Sequence, residues 1–224
     1  MTFSLVARDP QTGAFGMVIS SSSPAVASRC LHMRSGVGAV ASQNVTNPAL
    51  GPTILDALEY GLGSHSALTR GLKQEEHPDH RQVLVIDNQG TIGHHSGAHS
   101  LGVNHSAWSG QAVAAGNLLK SPSTVDSLLH AYQSSTASAF EARLLAGLTQ
   151  AMEAGGEAGP VRSAGLKIVE HVSWATTDLR VDDADNPVAE LNRLWQLWEP
   201  EKQKYLTRAL NPNAAPSYGV PGET

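Results

Sequence analysis

Thr2 follows the initiator Met directly, and a small second residue lets Met1 be removed. Removal would leave a hydroxyl and a free α-amine on one residue. An amine with a pKa near about 8 can take the hydroxyl proton without help from a histidine, which makes Thr2 a candidate N-terminal nucleophile. Phe3 to Arg8 alternates as a strand does, so the nucleophile would stand at the first residue of a rigid element. Acyl transfer also needs donors aimed at the developing oxyanion, and amides at strand ends suit that task. Gln43, Asn44 and Asn117 follow or end the small-residue runs Gly36 to Gln43 and Gly110 to Ala115. Asn44 and Asn117 join Thr2 as catalytic candidates, and Gln43 is a substrate-binding one. The bland use of each Asn is to bond turn backbone.

Four further substrate-binding candidates are charged. Asp182 and Asp183 form the densest acidic feature, able to orient an amine or to bind a substrate ammonium. Their alternative role is to sit at the positive start of the last helix, which Asp185 or Asn186 can cap. Arg162 and Arg180 either pair with these acids or hold a substrate carboxylate through bidentate contacts. Ser21, just past the second strand, falls near residue 2 if the first two strands form a hairpin, and there it would relay a proton, bind substrate or serve as a turn serine.

His94, His95, His99 and His105 lie within twelve residues. Neither a finger spacing nor a His-Glu-x-x-His helix is present, and adjacent histidines on a strand point to opposite faces. Only His95 with His99 remains as a pair, so no metal is expected. No glycine-rich segment fits a phosphate or dinucleotide loop, so no cofactor is expected either. Cys30, the single cysteine, reads as a small buried hydrophobe, and Trp195 and Trp198 read as core or interface anchors.

The elements that must position these groups follow from periodicity and turn chemistry. Strands are expected at Phe3 to Arg8 and Ala14 to Ser20, joined through Asp9-Pro10-Gln11-Thr12-Gly13. A strand at Gly36 to Gln43 leads to helices at Leu50 to Tyr60 and Ser64 to Glu76. Gln82 to Ile86, Thr91 to His95 and Gly110 to Ala115 read as strands, with helices at Ser123 to Gln133 and Ser138 to Ala154. Arg162 to Val172 and Asp178 to Val181 are further strands, before a helix that Asn186-Pro187 opens. From about Pro200 the chain turns polar and rich in Pro and Asn. The expected division is therefore a domain over residues 1–199 and a tail over 200–224.

With 224 residues and a net charge of -5, the chain fits one domain with a substantial core, or two small ones, and lacks a basic nucleic-acid footprint. Arg8 and Asp9 interrupt the first apolar run and no stretch approaches a membrane span, so no membrane partner and a cytoplasmic location are expected.

Five segments in order resemble the bacterial and archaeal family called domain of unknown function 1028: Thr2 to Pro10; Gly36 to Gln43; Asn47-Pro48 with Gly51-Pro52; Gly116-Asn117-Leu118-Leu119; and Asp178 to Asp183. The resemblance runs over roughly residues 2 to 198. It implies an α+β fold, a four-layer αββα sandwich of two antiparallel sheets, like that of the N-terminal nucleophile (Ntn) hydrolases. Those enzymes cleave amide C–N bonds with an N-terminal Thr, Ser or Cys, and Thr2 occupies that position. The sequence departs from the family at Ser21-Ser22, where a Ser-Arg pair is common, so a basic clamp for a carboxylate is missing. The expected protein is a small-molecule C–N hydrolase and a homo-oligomer, a dimer. The rival readings are an imine or enamine hydrolase using water with an acid such as Asp182, and a non-catalytic metabolite-binding or assembly protein.

Overall fold

Six of the seven positions of the first strand, β1 (Thr2–Arg8), are buried, so the strand is covered on both faces. It turns into β2 (Phe15–Ser21) through Asp9, whose carboxylate accepts the Gln11 N–H at 3.0 Å, and Gly13, whose φ of 75° is left-handed. A short helix α1 (Val26–Cys30) and two strands, β3 (Leu31–Arg34) and β4 (Gly38–Asn44), follow. Next come helices α2 (Leu50–Glu59) and α3 (Ser64–Gln74), then β5 (Arg81–Asp87), β6 (Ile92–Ser96), β7 (His105–Ser109) and β8 (Ala112–Asn117). Helices α4 (Ser123–Ser134) and α5 (Phe140–Glu153), strands β9 (Ser163–Val169) and β10 (Ala175–Val181), and helix α6 (Pro187–Leu210) complete the order. This computed structural model describes residues 2–222.

Two antiparallel sheets result, one ordered β10-β9-β2-β1-β8-β7 and the other β3-β4-β5-β6. Phe3, Leu5 and Val18 point to a helical layer in which Leu128, Leu144, Leu148 and Leu191 are buried. Val6, Met17, Ile19 and Val113 point the other way, onto Ala39, Ala41, Leu84 and Ile86 of the second sheet. The outer face of that sheet, with Val40, Val83 and Val85, packs on Ile54, Leu58 and Leu68 of α2 and α3. The layers are therefore αββα, as the resemblance implies. Alanines on β4 and β8 let the sheets approach closely where larger side chains would hold them apart.

Three elements escape the periodicity reading. α1 and β3 span only five and four residues, too short for a period to register, and β7 is a half-exposed edge strand with little apolar signal. Residue 200, the expected start of a tail, instead falls inside α6. Pro200 breaks one backbone bond on an exposed face, and the helix is held beyond it by side chains. Lys202 Nζ bonds Glu141 Oε1 and Glu170 Oε1, both at 2.6 Å, and Tyr205 stacks on Trp198 with ring centroids 5.3 Å apart. Among the described residues, no helix is long and apolar enough to cross a membrane.

Candidate active site

Strand register brings the start of β1 together with the ends of its neighbours. Thr2 lies opposite Asn117 of β8, while on its other side Phe3 opposite Ser20 sets Thr2 beside Ser21 at the end of β2. Since residues two apart share a face, Thr2, Ser21 and Asn117 point the same way as Val6, Ile19 and Val113, into the space between the sheets. The hydroxyls of Thr2 and Ser21 are 3.4 Å apart. Ser21 Oγ in turn accepts the Ser23 N–H at 3.0 Å, which fixes its rotamer. All three residues are buried, Thr2 being 5% exposed.

Behind Thr2 a chain of amides crosses from one sheet to the other. Ser4 Oγ donates to Gln43 Oε1 at 2.6 Å, and Gln43 Nε2 donates to Gln82 Oε1 at 2.8 Å. Asn117 Nδ2 donates to the same Gln82 oxygen at 3.1 Å, and Gln82 Nε2 donates to Ser96 Oγ at 3.0 Å and the Gly116 carbonyl at 3.1 Å. Asn117 Oδ1 is buried with no hydrogen-bond partner among the described residues. Such a network, nearly satisfied in a dry interior, is rigid and leaves one acceptor, Asn117 Oδ1, without a partner among the described residues.

A carboxylate closes the same end. After α5, Gly155 and Gly156 take left-handed φ values of 118° and 58°, and the chain returns along the extension of β8. Lys120 N donates to Gly156 O at 3.0 Å and Ala158 N to Leu118 O at 2.9 Å, so Glu157 faces Leu119, two residues past Asn117. Its carboxylate reaches the far side of β1, where both oxygens accept the Ser22 N–H at 3.2 and 3.1 Å. Glu157 thus bridges the two strands that flank β1, at the point where β1 begins. It is 4% exposed and no described Lys or Arg forms an ion pair with it. Burial pushes its carboxyl up to about 7, against the pull of the Ser22 hydrogen bonds.

The remaining sequence candidates lie outside this group. Asn44 sits at the same end with φ of 73°, but its Nδ2 donates to His80 O at 2.7 Å and its Oδ1 accepts the Leu101 N–H at 3.2 Å. Its amide braces two loops, which is the turn role. Arg162 lends the site its backbone, since its N–H donates to Ser21 O at 2.8 Å. Its guanidinium turns outward, bonding Asp183 twice at 2.8 Å and also Asp185. That bonding holds the Asp183 carboxyl below its ordinary range. Asp182 is exposed, and Arg180 pairs with Asp178 at 3.5 Å on the surface. His95 Nε2 meets Pro78 O at 2.9 Å and His99 Nδ1 meets His80 Nε2 at 3.3 Å, so the two do not converge. Among the described residues no three His, Cys, Asp or Glu side chains are grouped to hold a metal ion.

Two residues of the site carry no sequence motif. Gln82 is a polar side chain at an inward position just before the apolar run Val83 to Ile86, and Glu157 is a lone acid in Gly155-Gly156-Glu157-Ala158-Gly159. Each breaks the local pattern, a signal that marks the residue without assigning it a role.

The sequence model described as "Family of unknown function (DUF1028)" matches residues 2–191. The chain belongs to this family. A DUF1028 protein of known structure, SPO2555 from Silicibacter pomeroyi, is 29% identical, with 88% of each chain covered and a TM-score of 0.82. Anbu (ancestral beta-subunit) from Yersinia bercovieri aligns at 11% identity over 97% of this chain and all of its own, with a TM-score of 0.43. An Anbu mutant from Hyphomicrobium sp. strain MC1 aligns at 10% identity over 98% of this chain, also with a TM-score of 0.43. No curated protein matches the sequence.

Proposed function

We propose that this DUF1028 protein is a hydrolase of a C–N bond in a small molecule, with Thr2 as the nucleophile once Met1 is removed. The observation that carries the reading is the placement of the Thr2 hydroxyl. It stands at the first residue of a central strand, 3.4 Å from Ser21 Oγ and across the ladder from Asn117. The freed α-amine lies on the same residue as the hydroxyl and takes its proton as Oγ1 attacks the scissile carbon. Asn117 Nδ2 gives one hydrogen to Gln82 Oε1, and its second hydrogen is the donor for the developing oxyanion. The protonated amine gives its proton to the leaving nitrogen as the C–N bond breaks, and water then cleaves the Thr2 ester by the same route in reverse. The exposure of Asp182 disfavours the water-based rival that relied on it.

Two measurements test the proposal. Protein expressed without an N-terminal tag should begin at Thr2 by intact mass. A β-lactone should then add one acyl group, mapped to Thr2 by peptide sequencing, and Thr2→Ala should abolish the adduct. Mostly Met1-retained protein, or an adduct that survives Thr2→Ala, would overturn the mechanism and leave the fold untouched.

A further inference from the structure

We infer that Glu157 is the carboxylate that receives and orients the α-amine of Thr2, a positioning residue that completes the nucleophile as a hydroxyl, an amine and an acid in line. The inference rests on the reading of Thr2 as nucleophile and adds the group that the sequence motifs lack.

Strand β1 is held between β2 and β8, and at its first residue these neighbours contribute Ser21 and Asn117. Beyond that residue the segment 156–158 takes up the pairing along Leu118 to Lys120, occupying the line that β1 would follow if extended. Glu157 leaves this segment and spans to Ser22 on the opposite neighbour. Its carboxylate therefore crosses the line of β1 at the end where the nitrogen of Thr2 lies. A buried acid bonded by the N–H and hydroxyl of Ser22, with no described cationic side chain beside it, has acceptor capacity left over among its four lone-pair sites, which an ammonium satisfies. The relation parallels the acid of a Ser-His-Asp triad. There too the carboxylate orients the base and stabilises its charged form without taking the proton itself. In the present case the proton passes from Thr2 Oγ1 to the α-nitrogen as the Oγ1–C bond forms, and Glu157 stabilises the ammonium until the leaving nitrogen takes that proton.

The test titrates the amine itself. In protein verified by mass to begin at Thr2 and carrying 15N-threonine, the α-amine pKa is read by NMR in wild type, Glu157→Gln and Glu157→Asp. The expected result is a fall of about one unit or more in Glu157→Gln, with Glu157→Asp between the two. An equal amine pKa in wild type and in folded Glu157→Gln would overturn the inference. If Glu157→Gln does not fold, the carboxyl carbon of Glu157 in wild type is titrated instead, in processed protein and in protein acetylated at Thr2. A lower carboxyl pKa with the free amine supports the pairing, and identical values overturn it. β-lactone labelling keeps the two readings apart. Labelling of Thr2 with an unmoved amine pKa sinks only the role of Glu157, whereas a moved pKa without labelling sinks only the nucleophile.

Discussion

Thr2 Oγ1 and Ser21 Oγ face each other across the first hairpin at 3.4 Å, and the Ser23 N–H holds Ser21 in that rotamer. Because the hairpin register places them side by side, Ser21 is the neighbour best set to orient the Thr2 hydroxyl. Ser21→Ala should slow β-lactone acylation of Thr2 by roughly tenfold, while leaving the Ser23 N–H unpaired costs about 1 kcal/mol of stability. Timed mass spectrometry and urea denaturation separate the two effects. Unchanged acylation would assign Ser21 to the turn alone.

Asn117 is expected to matter more to rate than to fold. Gln82 Oε1 keeps its bond from Gln43 when the Asn117 amide is removed, so the network survives in part. Asn117→Ala should lower turnover or acylation by about a hundredfold or more. A large drop in melting temperature, with reactivity per folded molecule preserved, would return Asn117 to a packing role.

The loop before β5 carries a pH signature. Hydrogen bonding to Arg81 at 2.9 Å, with further bonds from Asn47 and the His77 N–H, holds the Glu75 carboxyl down to about 2 from its ordinary 4.5. A folded-state value below the unfolded one contributes stability that is complete above pH 4.5 and is lost as pH falls toward 2. Glu75→Gln should therefore melt below wild type at neutral pH, and the gap should close over that window. A gap that stays constant with pH would show that the carboxylate charge is not what stabilises the loop.

Lys202 ties the distal half of α6 to the body through Glu141 and Glu170. Glu141 is buried, so Lys202→Ala leaves its charge without a cation and should destabilise by about 3 kcal/mol. The double change Lys202→Met with Glu141→Gln should recover most of that loss in chemical denaturation. Equal destabilisation by the single and double changes would mean that packing of the lysine stem, not charge, holds the helix.

Local chemistry was enough to read much of the molecule. The first hairpin follows from Asp9-Pro10 and Gly13, and the strand character of β1 follows from its alternation. The helices α2 and α3 follow from leucines at helical spacing, and α4 from Ser123 with Asp126 three residues on, because each of these signals is carried by neighbours in the chain. Ser21 and Asn117 could be named as candidates, but only the strand register set them on either side of Thr2. Asn44 and Arg162 stand near the same end of the sheets, yet bonds to loops and to surface acids occupy their side chains. Pro200 marked an apparent break that the ion pairs of Lys202 override, through partners about 30 and 60 residues away. Glu157 and Gln82 show the limit most directly. Their role depends on which strands a two-sheet sandwich brings to one end, and that is settled by the packing of distant segments that no local window contains.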